Sequence, residues 1–383
     1  MNAAAAGPQR SAARLRFLGA WRETLHNRVV RALLASLIAG VLVAAPAGAG
    51  HGAVCGWHMV RDAKGPELWA ATVLRGGELW AVGDNGARGT ILHLKGGAWE
   101  TFASPLFALD ITAASSRDIW AVGSSLPGGP QTRPQAEHWD GTRWRTVPVP
   151  GRPGGYLRAV VTLSRDEAWA VGANPRGPLI ERWNGMRWKP TGSGPLDGLL
   201  HGIDALTPDA IWAVGTQGMQ TLGPQSESPL VERLEGGRWQ RLPTPPLEWV
   251  DANLLAVDAV SPTEAWAVGS ADIEGGRAPL VERWDGQAWS VVSTEGLPAT
   301  RASLSAVAAF SPEDVWAGGW RGFGRAQRAL LAHWDGRRWS SLQGAPGAIN
   351  DLAARSTRDI WAVGGLLAGG GRSRTLVEHF ACV

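Results

Sequence analysis

The sequence predicts an all-β protein that folds as a single seven-bladed β-propeller with four strands in each blade. A phrase of the form xWAVG, or a close variant, occurs seven times, and its Trp residues lie 40 to 54 residues apart. The 383 residues include 22 Trp but only one Tyr and six Phe, as expected if one Trp-bearing unit is copied many times. A period in the forties, with short apolar runs separated by Gly, Pro and Asp, is typical of four-stranded propeller blades.

Each repeat supplies four predicted strands, which we label a to d. Strand a covers runs such as AVDAVS, strand b the xWAVG phrase, strand c runs such as PLVERW, and strand d the run after DG, as in QAWSVVS. The S-P-x-[DE] step between strands a and b suits a type I turn. The D-G or G-G step between strands c and d suits a tight hairpin, because Gly adopts the positive φ that such turns need. No helix longer than one turn is predicted after residue 50.

The two ends of the predicted ring are each incomplete. The seventh repeat ends after its strand c, with TLVEHFACV, whereas the early run GWHMV has Trp57 where the other repeats have the Trp of strand d. We therefore expect the N-terminal strand to pair with the C-terminal blade and close the ring, which leaves no sheet edge open. The only two cysteines, Cys55 and Cys382, would then lie on adjacent strands, and we expect a disulfide between them rather than two unpaired thiols.

Residues 1–49 have the pattern of a secretory signal peptide, and residues 50–383 are the predicted propeller. The leader carries six Arg against one Glu, then the apolar run Ala32–Ala45, then PAGAG with small residues suited to cleavage. The alternative is an uncleaved N-terminal anchor, but the apolar run is short for a membrane span. We expect a secreted or extracytoplasmic protein, at the cell surface or in the periplasm, with no membrane span in the mature chain.

The net charge of +3 depends on this leader. Without residues 1–49 the chain has 31 basic and 33 acidic residues, so it has no positive field for a polyanion. We therefore expect no nucleic-acid partner.

The repeats resemble those of known propeller families. The run GDNGARGTILHLKGGAW (residues 83–99) resembles a blade of photosystem II assembly factor and of BNR, or Asp-box, propellers, whose hairpins carry Asp, Gly and Trp in that order. As a whole, residues 54–383 resemble Trp-rich propellers of secreted bacterial proteins, and more distantly the Kelch and galactose oxidase propellers. The resemblance implies the fold. Galactose oxidase builds its copper site from several Tyr and His, and this chain has Tyr156 alone, so no cofactor and no metal site are expected.

Most of the Trp residues, and one column of charged residues, recur at fixed positions of the repeat. Strands b, c and d account for 18 of the Trp residues if Trp57 is included, and we expect these to pack between neighbouring blades. We expect each basic residue of strand c to form a brace with the Glu that usually precedes it, and the acidic residue before the strand-b Trp to be a turn residue. The basic column consists of His93, His138, Arg182, Arg233, Arg283, His333 and His379.

Candidate binding residues come from the segments that vary between repeats. The b–c and d–a loops are long and differ from blade to blade, and binding sites usually lie on such loops. The candidates are exposed aromatic residues with nearby charges, which suit a sugar ring or a protein hot spot, although each aromatic ring could instead fold back over its own blade. They are Trp249, Asp251, Trp320, Arg321, Phe323 and Tyr156, with Asp204 and Asp258 as candidates that line the central channel.

These features favour a non-catalytic, monomeric binding module for a protein or a cell-surface glycan. The alternative is a glycoside hydrolase or polysaccharide lyase in which Asp204, Asp258 or Asp251 act as acid and base at the channel mouth. A third possibility is a purely structural surface protein without a concave site. No metal-ligand spacing, phosphate loop or GxSxG elbow occurs in the sequence.

Overall fold

The computed structural model describes residues 55–126, 128–192, 198–218, 227–247, 251–367 and 373–382, which belong to one unit, Gly52–Val383. The predicted leader, residues 1–49, lies outside the described residues. Within them the secondary structure is β, apart from one short 3-10 helix, Gly324–Ala326. The strands are β1 (Cys55–Lys64), β2 (Glu67–Val73), β3 (Leu79–Asp84), β4 (Gly89–Lys95), β5 (Ala98–Ser104), β6 (Phe107–Ser115), β7 (Asp118–Ser124), β8 (Pro134–Trp139), β9 (Trp144–Val147), β10 (Tyr156–Ser164), β11 (Glu167–Asn174), β12 (Gly177–Trp183), β13 (Trp188–Pro190), β14 (Gly198–Thr207), β15 (Ala210–Gln217), β16 (Ser228–Glu235), β17 (Arg238–Leu242), β18 (Ala252–Ser261), β19 (Glu264–Ile273), β20 (Gly276–Trp284), β21 (Trp289–Val291), β22 (Ala302–Ser311), β23 (Asp314–Arg321), β24 (Arg328–Trp334), β25 (Trp339–Ser356), β26 (Asp359–Leu367) and β27 (Ser373–Cys382).

The strands form antiparallel sheets in chain order. Four-stranded sheets are built from β2–β5, β6–β9, β10–β13, β14–β17 and β18–β21, as the repeat predicts. A further sheet has seven strands in the order β22, β23, β24, β25, β26, β27, β1. Its long strand β25 serves two units, because residues up to Pro346 pair with β24 and residues from Gly347 pair with β26.

The recurring Trp residues pack between neighbouring sheets, as expected. The ring of Trp120 in β7 lies 4.8 Å from Trp183 and 5.1 Å from Trp188, which belong to strands c and d of the next sheet. Trp212 contacts Trp284 and Trp289 in the same way, at 5.3 Å each. Strand b is almost fully buried in each sheet because the neighbouring sheets cover it on both faces. Each sheet therefore contributes its Trp residues to the core that it shares with its neighbour.

The charged column of strand c is organised differently from the prediction. Each basic residue except Arg233 pairs with the acidic residue at the start of strand b, as in His138 Nε2 to Asp118 Oδ1 at 2.6 Å and Arg283 Nη2 to Glu264 Oε2 at 2.8 Å. The predicted brace to the preceding Glu was wrong because successive side chains of a strand point to opposite faces. Those Glu side chains instead lie between the sheets, and Glu282 is fully buried with no hydrogen-bond partner for either carboxyl oxygen among the described residues.

The N-terminal strand pairs with the C-terminal one. Strand β1 runs antiparallel to β27, with Cys55 opposite Cys382, and the two cysteines form a disulfide with Cα atoms 3.9 Å apart. This confirms the predicted disulfide. Trp57 lies with its ring 5.6 Å from Trp316, so it takes the strand-d Trp position of its sheet. Strand β2 of the first sheet contacts β25 and β26 of the last.

No helix in the described residues has the length and apolar character needed to cross a membrane.

Candidate functional site

Each of the seven inner strands, which are β2, β6, β10, β14, β18, β22 and the part of β25 from Gly347, has a β-bulge at the same position near its start. In β10, Leu157 pairs with Gly172 and Ala159 with Val171, so Arg158 has no partner residue in β11 and its side chain is re-aimed. The residue before each bulge is apolar and fully buried, as Leu157 is. The bulged residues, which we call the mouth ring, are Trp69, Leu109, Arg158, His201, Leu255, Ser305 and Asn350.

The glycine of the strand-b phrase makes room for this bulge. A Cβ atom on Gly269 would lie 2.0 Å from the backbone oxygen of Asn253, which is two residues before the bulged Leu255. The equivalent glycines of the other sheets meet the same strand-a carbonyl at similar distances. The fourth residue of WAVG is therefore fixed by close backbone approach.

The mouth ring lines a central channel of about 610 Å³. Each strand a begins directly after a d–a loop. Its bulge lies near the start of the strand, so the mouth ring lies near the end of the channel that carries the b–c and d–a loops. Trp320, at the end of β23, also lines this channel. The variable residues therefore meet at the face that the sequence predicts for binding.

Three members of the mouth ring are held by hydrogen bonds. Trp69 donates from its indole nitrogen to Asp84 Oδ2 at 2.6 Å. Asn350 donates from Nδ2 to the backbone oxygen of Leu68 at 2.8 Å, and Ser305 donates to the backbone oxygen of Ile349 at 3.2 Å. The first bond fixes the Trp69 ring. The second joins the last sheet to the first, and the third joins β22 to β25.

Arg158 and His201 are not held in this way. Arg158 makes no side-chain hydrogen bond or ion pair within the described part of the chain. His201 has one long contact, 3.4 Å from Nε2 to Thr216 Oγ1, while its Nδ1 is buried and has no partner among the described residues. Burial, and then the nearby positive charge of Arg158, lower the pKa of His201 to about 3, so its imidazole is neutral at ordinary pH. The mouth therefore presents a cation and a neutral imidazole on adjacent sheets.

Four aspartates stand in the channel wall below this ring. Each accepts a hydrogen bond from a backbone amide of the next sheet, so each ties two sheets together. The bonds are Asp110 with Val160 (2.7 Å), Asp204 with Ala259 (2.9 Å), Asp258 with Ala309 (2.7 Å) and Asp351 with Ala71 (2.9 Å). Asp204 and Asp258 thus line the channel, but their carboxylates are engaged as braces.

Burial raises the pKa of all four carboxyl groups. The pKa of Asp110 rises to about 8 through burial and then through the charge of Asp351. The pKa of Asp258 also rises to about 8, through burial and then through the charge of Asp204. Asp204 and Asp351 have a raised pKa for the same main reason, burial. At neutral pH Asp110 and Asp258 are therefore mostly protonated, so the channel carries less negative charge than four aspartates suggest.

Of the other predicted site residues, the structure brings Trp320 and Phe323 into contact and leaves Arg321 out of the channel lining. Trp320 is half-buried at the mouth, with its ring 5.5 Å from Phe323, which is 53% exposed. Arg321 follows at the end of β23, paired with Ala302 and Arg328 rather than lining the channel.

Tyr156 and Asp251 belong to different surroundings. Tyr156 begins β10, two residues before Arg158, and burial raises the pKa of its phenol while the charge of Arg158 lowers it. Asp251 accepts a hydrogen bond from the Glu227 amide at 2.8 Å and so braces a loop. Trp249 lies outside the described residues.

The sequence prediction missed the mouth ring, although the ring has a recognisable pattern in the sequence. In strand a, the apolar residue before the bulge is nearly constant, whereas the next residue is Trp, Leu, Arg, His, Leu, Ser and Asn in successive repeats. A position that varies between repeats, directly after one that is nearly constant, is typical of residues with a role other than packing.

Solved structures similar to this chain are β-propellers. YCF48 bound to a D1 peptide matches at 15% identity over 86% of this chain and 95% of that chain, with a TM-score of 0.55. Virginiamycin B lyase from Staphylococcus aureus matches at 11% identity over 86% of this chain and all of that chain, with a TM-score of 0.59. A PL25 polysaccharide lyase, ulvan lyase, bound to -[GlcA(1-4)Rha3S]-, matches at 10% identity over 82% of this chain and 93% of that chain, with a TM-score of 0.60.

At these identities the likeness establishes the β-propeller fold, and the match to YCF48 agrees with the resemblance to photosystem II assembly factor propellers that the sequence shows. No protein-family model and no curated protein matches the sequence. Among the described residues, no group of three or more His, Cys, Asp and Glu is arranged to hold a metal ion.

Proposed function

We propose that this chain is an extracytoplasmic, non-catalytic binding module. Its scaffold is a seven-bladed ring in which β1 completes the last blade, and its ligand, a segment of a protein or of a glycan, enters the mouth on the b–c and d–a side. The observation that carries the proposal is the mouth ring. Its residues differ from one inner strand to the next, and within the described residues Arg158 makes no side-chain hydrogen bond and His201 makes one long contact. We expect the module to act as a monomer.

Two similar structures support a polymeric ligand. YCF48 is bound to a D1 peptide, and the ulvan lyase is bound to -[GlcA(1-4)Rha3S]-. Both are propellers of comparable size, since they match over most of their own length. We carry over only the idea that this fold suits a chain-like ligand.

The test is a binding screen with panels of oligosaccharides and peptides, repeated with a mouth variant and a control. Trp320→Ala alters the mouth, and Met186→Ala changes a side chain that is 83% exposed in an outer turn. We expect at least one ligand class whose binding is lost in the first variant and kept in the second. A screen in which every binder is insensitive to Trp320→Ala contradicts the proposal.

A lyase is the second candidate, and the neutral His201 beside Arg158 is the observation that favours it. Asp204 and Asp258 already accept hydrogen bonds from backbone amides, whereas His201 Nδ1 has no partner among the described residues, so His201 is the group left free for this role. The imidazole would remove the proton from C5 of a uronate, and the bond from C4 to the glycosidic oxygen would break. A C4–C5 double bond then forms, and the leaving oxygen takes up a proton. Appearance of an ultraviolet-absorbing unsaturated product, absent with His201→Ala, would establish this activity.

A further inference from the structure

We infer that Arg158 and His201 form a subsite for the carboxylate of an acidic sugar, and that Trp69 and Trp320 form the opposite wall for the apolar face of a sugar ring. This inference deepens the proposed function and rests on it.

The cationic half of the subsite is the Arg158 guanidinium. A bulge re-aims this side chain at the channel, and no carboxylate within the described residues forms an ion pair with it. A buried or half-buried cation is normally paired, so a free one at a channel mouth marks a place for an anion. The planar guanidinium can donate two parallel hydrogen bonds to a carboxylate, which Lys cannot match.

His201 supplies the second donor. It occupies the equivalent bulge of the adjacent inner strand, β14, so its ring lies beside Arg158 at the mouth. Its buried Nδ1 has no partner within the described part of the chain. A neutral imidazole donates one hydrogen bond without adding charge, which suits either the second carboxylate oxygen or a neighbouring hydroxyl.

The local charge balance favours an anion. Within the described part of the chain, Arg158 is the only Arg or Lys that lines the channel. The acidic residues that line it are the four aspartates. Each of these carboxyl groups has a raised pKa, because of burial, and each is turned to a backbone amide of the next sheet. At neutral pH the mouth is thus more positive than its composition suggests.

The aromatic half of the site favours a sugar over an acidic peptide. Trp69 is fixed by its 2.6 Å hydrogen bond to Asp84, so its ring is held in one orientation. Trp320 lines the same channel and is supported by Phe323. The sheets contact one another in chain order, and the first sheet contacts the last. In that order Trp69 and Trp320 lie on either side of Asn350, whereas Arg158 and His201 lie on the opposite side of the mouth ring. Rigid aromatic faces opposite a carboxylate subsite match the amphipathic faces of a uronic acid residue.

The experiment is calorimetric titration of the full chain with trimers of galacturonic acid and of glucuronic acid. The methyl esters of both trimers keep the rings and hydroxyls but remove the charge, and a tri-glutamate peptide carries the charge without the sugar. The variants are Arg158→Gln and, as a matched control, Arg152→Gln, which removes the same charge from an exposed position in the preceding loop. Thermal melts of both variants check that they fold.

We expect a uronate trimer to bind, with affinity reduced roughly tenfold or more by Arg158→Gln and by methyl esterification, and less than about twofold by Arg152→Gln. Equal binding of acid and ester, or no effect of Arg158→Gln, overturns the inference. Binding of tri-glutamate but of neither uronate overturns it in favour of an acidic peptide.

The failure of the inference can be told apart from the failure of the proposed function. If a neutral sugar or a peptide binds and Trp320→Ala abolishes that binding while Arg158→Gln does not, the mouth is a binding site but the carboxylate subsite is wrong. If no member of the screen depends on Trp320, the proposed function itself fails.

Discussion

The carboxylate of Asp351 accepts a hydrogen bond of 2.9 Å from the backbone amide of Ala71, a residue 280 positions earlier in the chain. This bond joins the innermost strand of the last sheet to that of the first. The same bond joins three other pairs of neighbouring sheets, through Asp110, Asp204 and Asp258. Buried acceptors of this kind are costly to lose, because the amide is then left without a partner.

Replacement of Asp351 tests this brace. Asp351→Ala leaves the Ala71 amide unpaired, and we expect it to lower the free energy of unfolding by about 1–3 kcal/mol. Asp351→Asn keeps an acceptor oxygen of the same shape and should cost much less. Denaturant titration of both variants distinguishes the outcomes, and equal stabilities would show that the hydrogen bond is not important.

Reduction of the disulfide tests the pairing of the two chain ends. We expect an intact mass about 2 Da lower before reduction than after, since the disulfide lacks two hydrogen atoms. We also expect a lower melting temperature after reduction, because the link between Cys55 and Cys382 spans 327 residues. The chain-entropy model puts its stabilisation at about 5 kcal/mol or less. A double variant, Cys55→Ser with Cys382→Ser, should melt like the reduced protein and should not respond to reductant.

The buried Glu282 predicts a pH dependence of stability. Burial raises the pKa of this carboxyl group to about 8 in the folded protein, against an ordinary value of 4.5. Between these values the folded state holds a proton that the unfolded state has lost, so the stability that this group contributes falls as the pH rises. Glu282→Gln cannot ionise, and its stability relative to the native protein should therefore increase from pH 5 to pH 9, as measured by denaturant titration. Glu295→Gln, at an exposed position, should show no such trend.

The inferred carboxylate subsite should weaken at alkaline pH. The pKa of Asp110 is raised to about 8 by burial and then by the charge of Asp351, while Arg158 lowers it. Once Asp110 ionises it competes with the ligand for Arg158, so affinity for a uronate trimer should fall between pH 7 and pH 9. His201 does not contribute to this effect, since its pKa of about 3 lies far below that range. In Asp110→Asn the fall should be smaller, and an unchanged profile in this variant would assign the effect to another group.

The strands and the joining of the chain ends could be predicted because they follow from periodic positions. Trp57 stands where a strand-d Trp is missing, and the Cys55–Cys382 pairing follows from that alignment. Turn chemistry is equally local. Gly286 adopts a φ of 94°, as the D-G hairpin requires, and the carboxylate of Asp285 accepts hydrogen bonds from the backbone amides of Gln287 and Ala288.

The mouth ring could not be predicted by the same reasoning, because a bulge breaks the period of two on which strand patterns depend. Arg158 stands between two apolar residues in sequence, Leu157 and Ala159, and a regular strand gives no reason to single it out. The ion pairs were mispredicted for a related reason. Adjacency in sequence suggested Glu137 for His138, whereas the partner in space is Asp118, one strand away. The side chains from different sheets that meet at the mouth can be identified only once the sheets are positioned in three dimensions.

The pairing of β1 with β27 has a consequence for biosynthesis. The first described strand pairs with the last, so this pairing cannot form until nearly the whole chain has been synthesised. A chain interrupted before β27 exposes the edges of both β1 and β26, and unpaired edges promote aggregation. Pairing of β1 with β27 therefore covers two strand edges that a truncated chain would leave exposed.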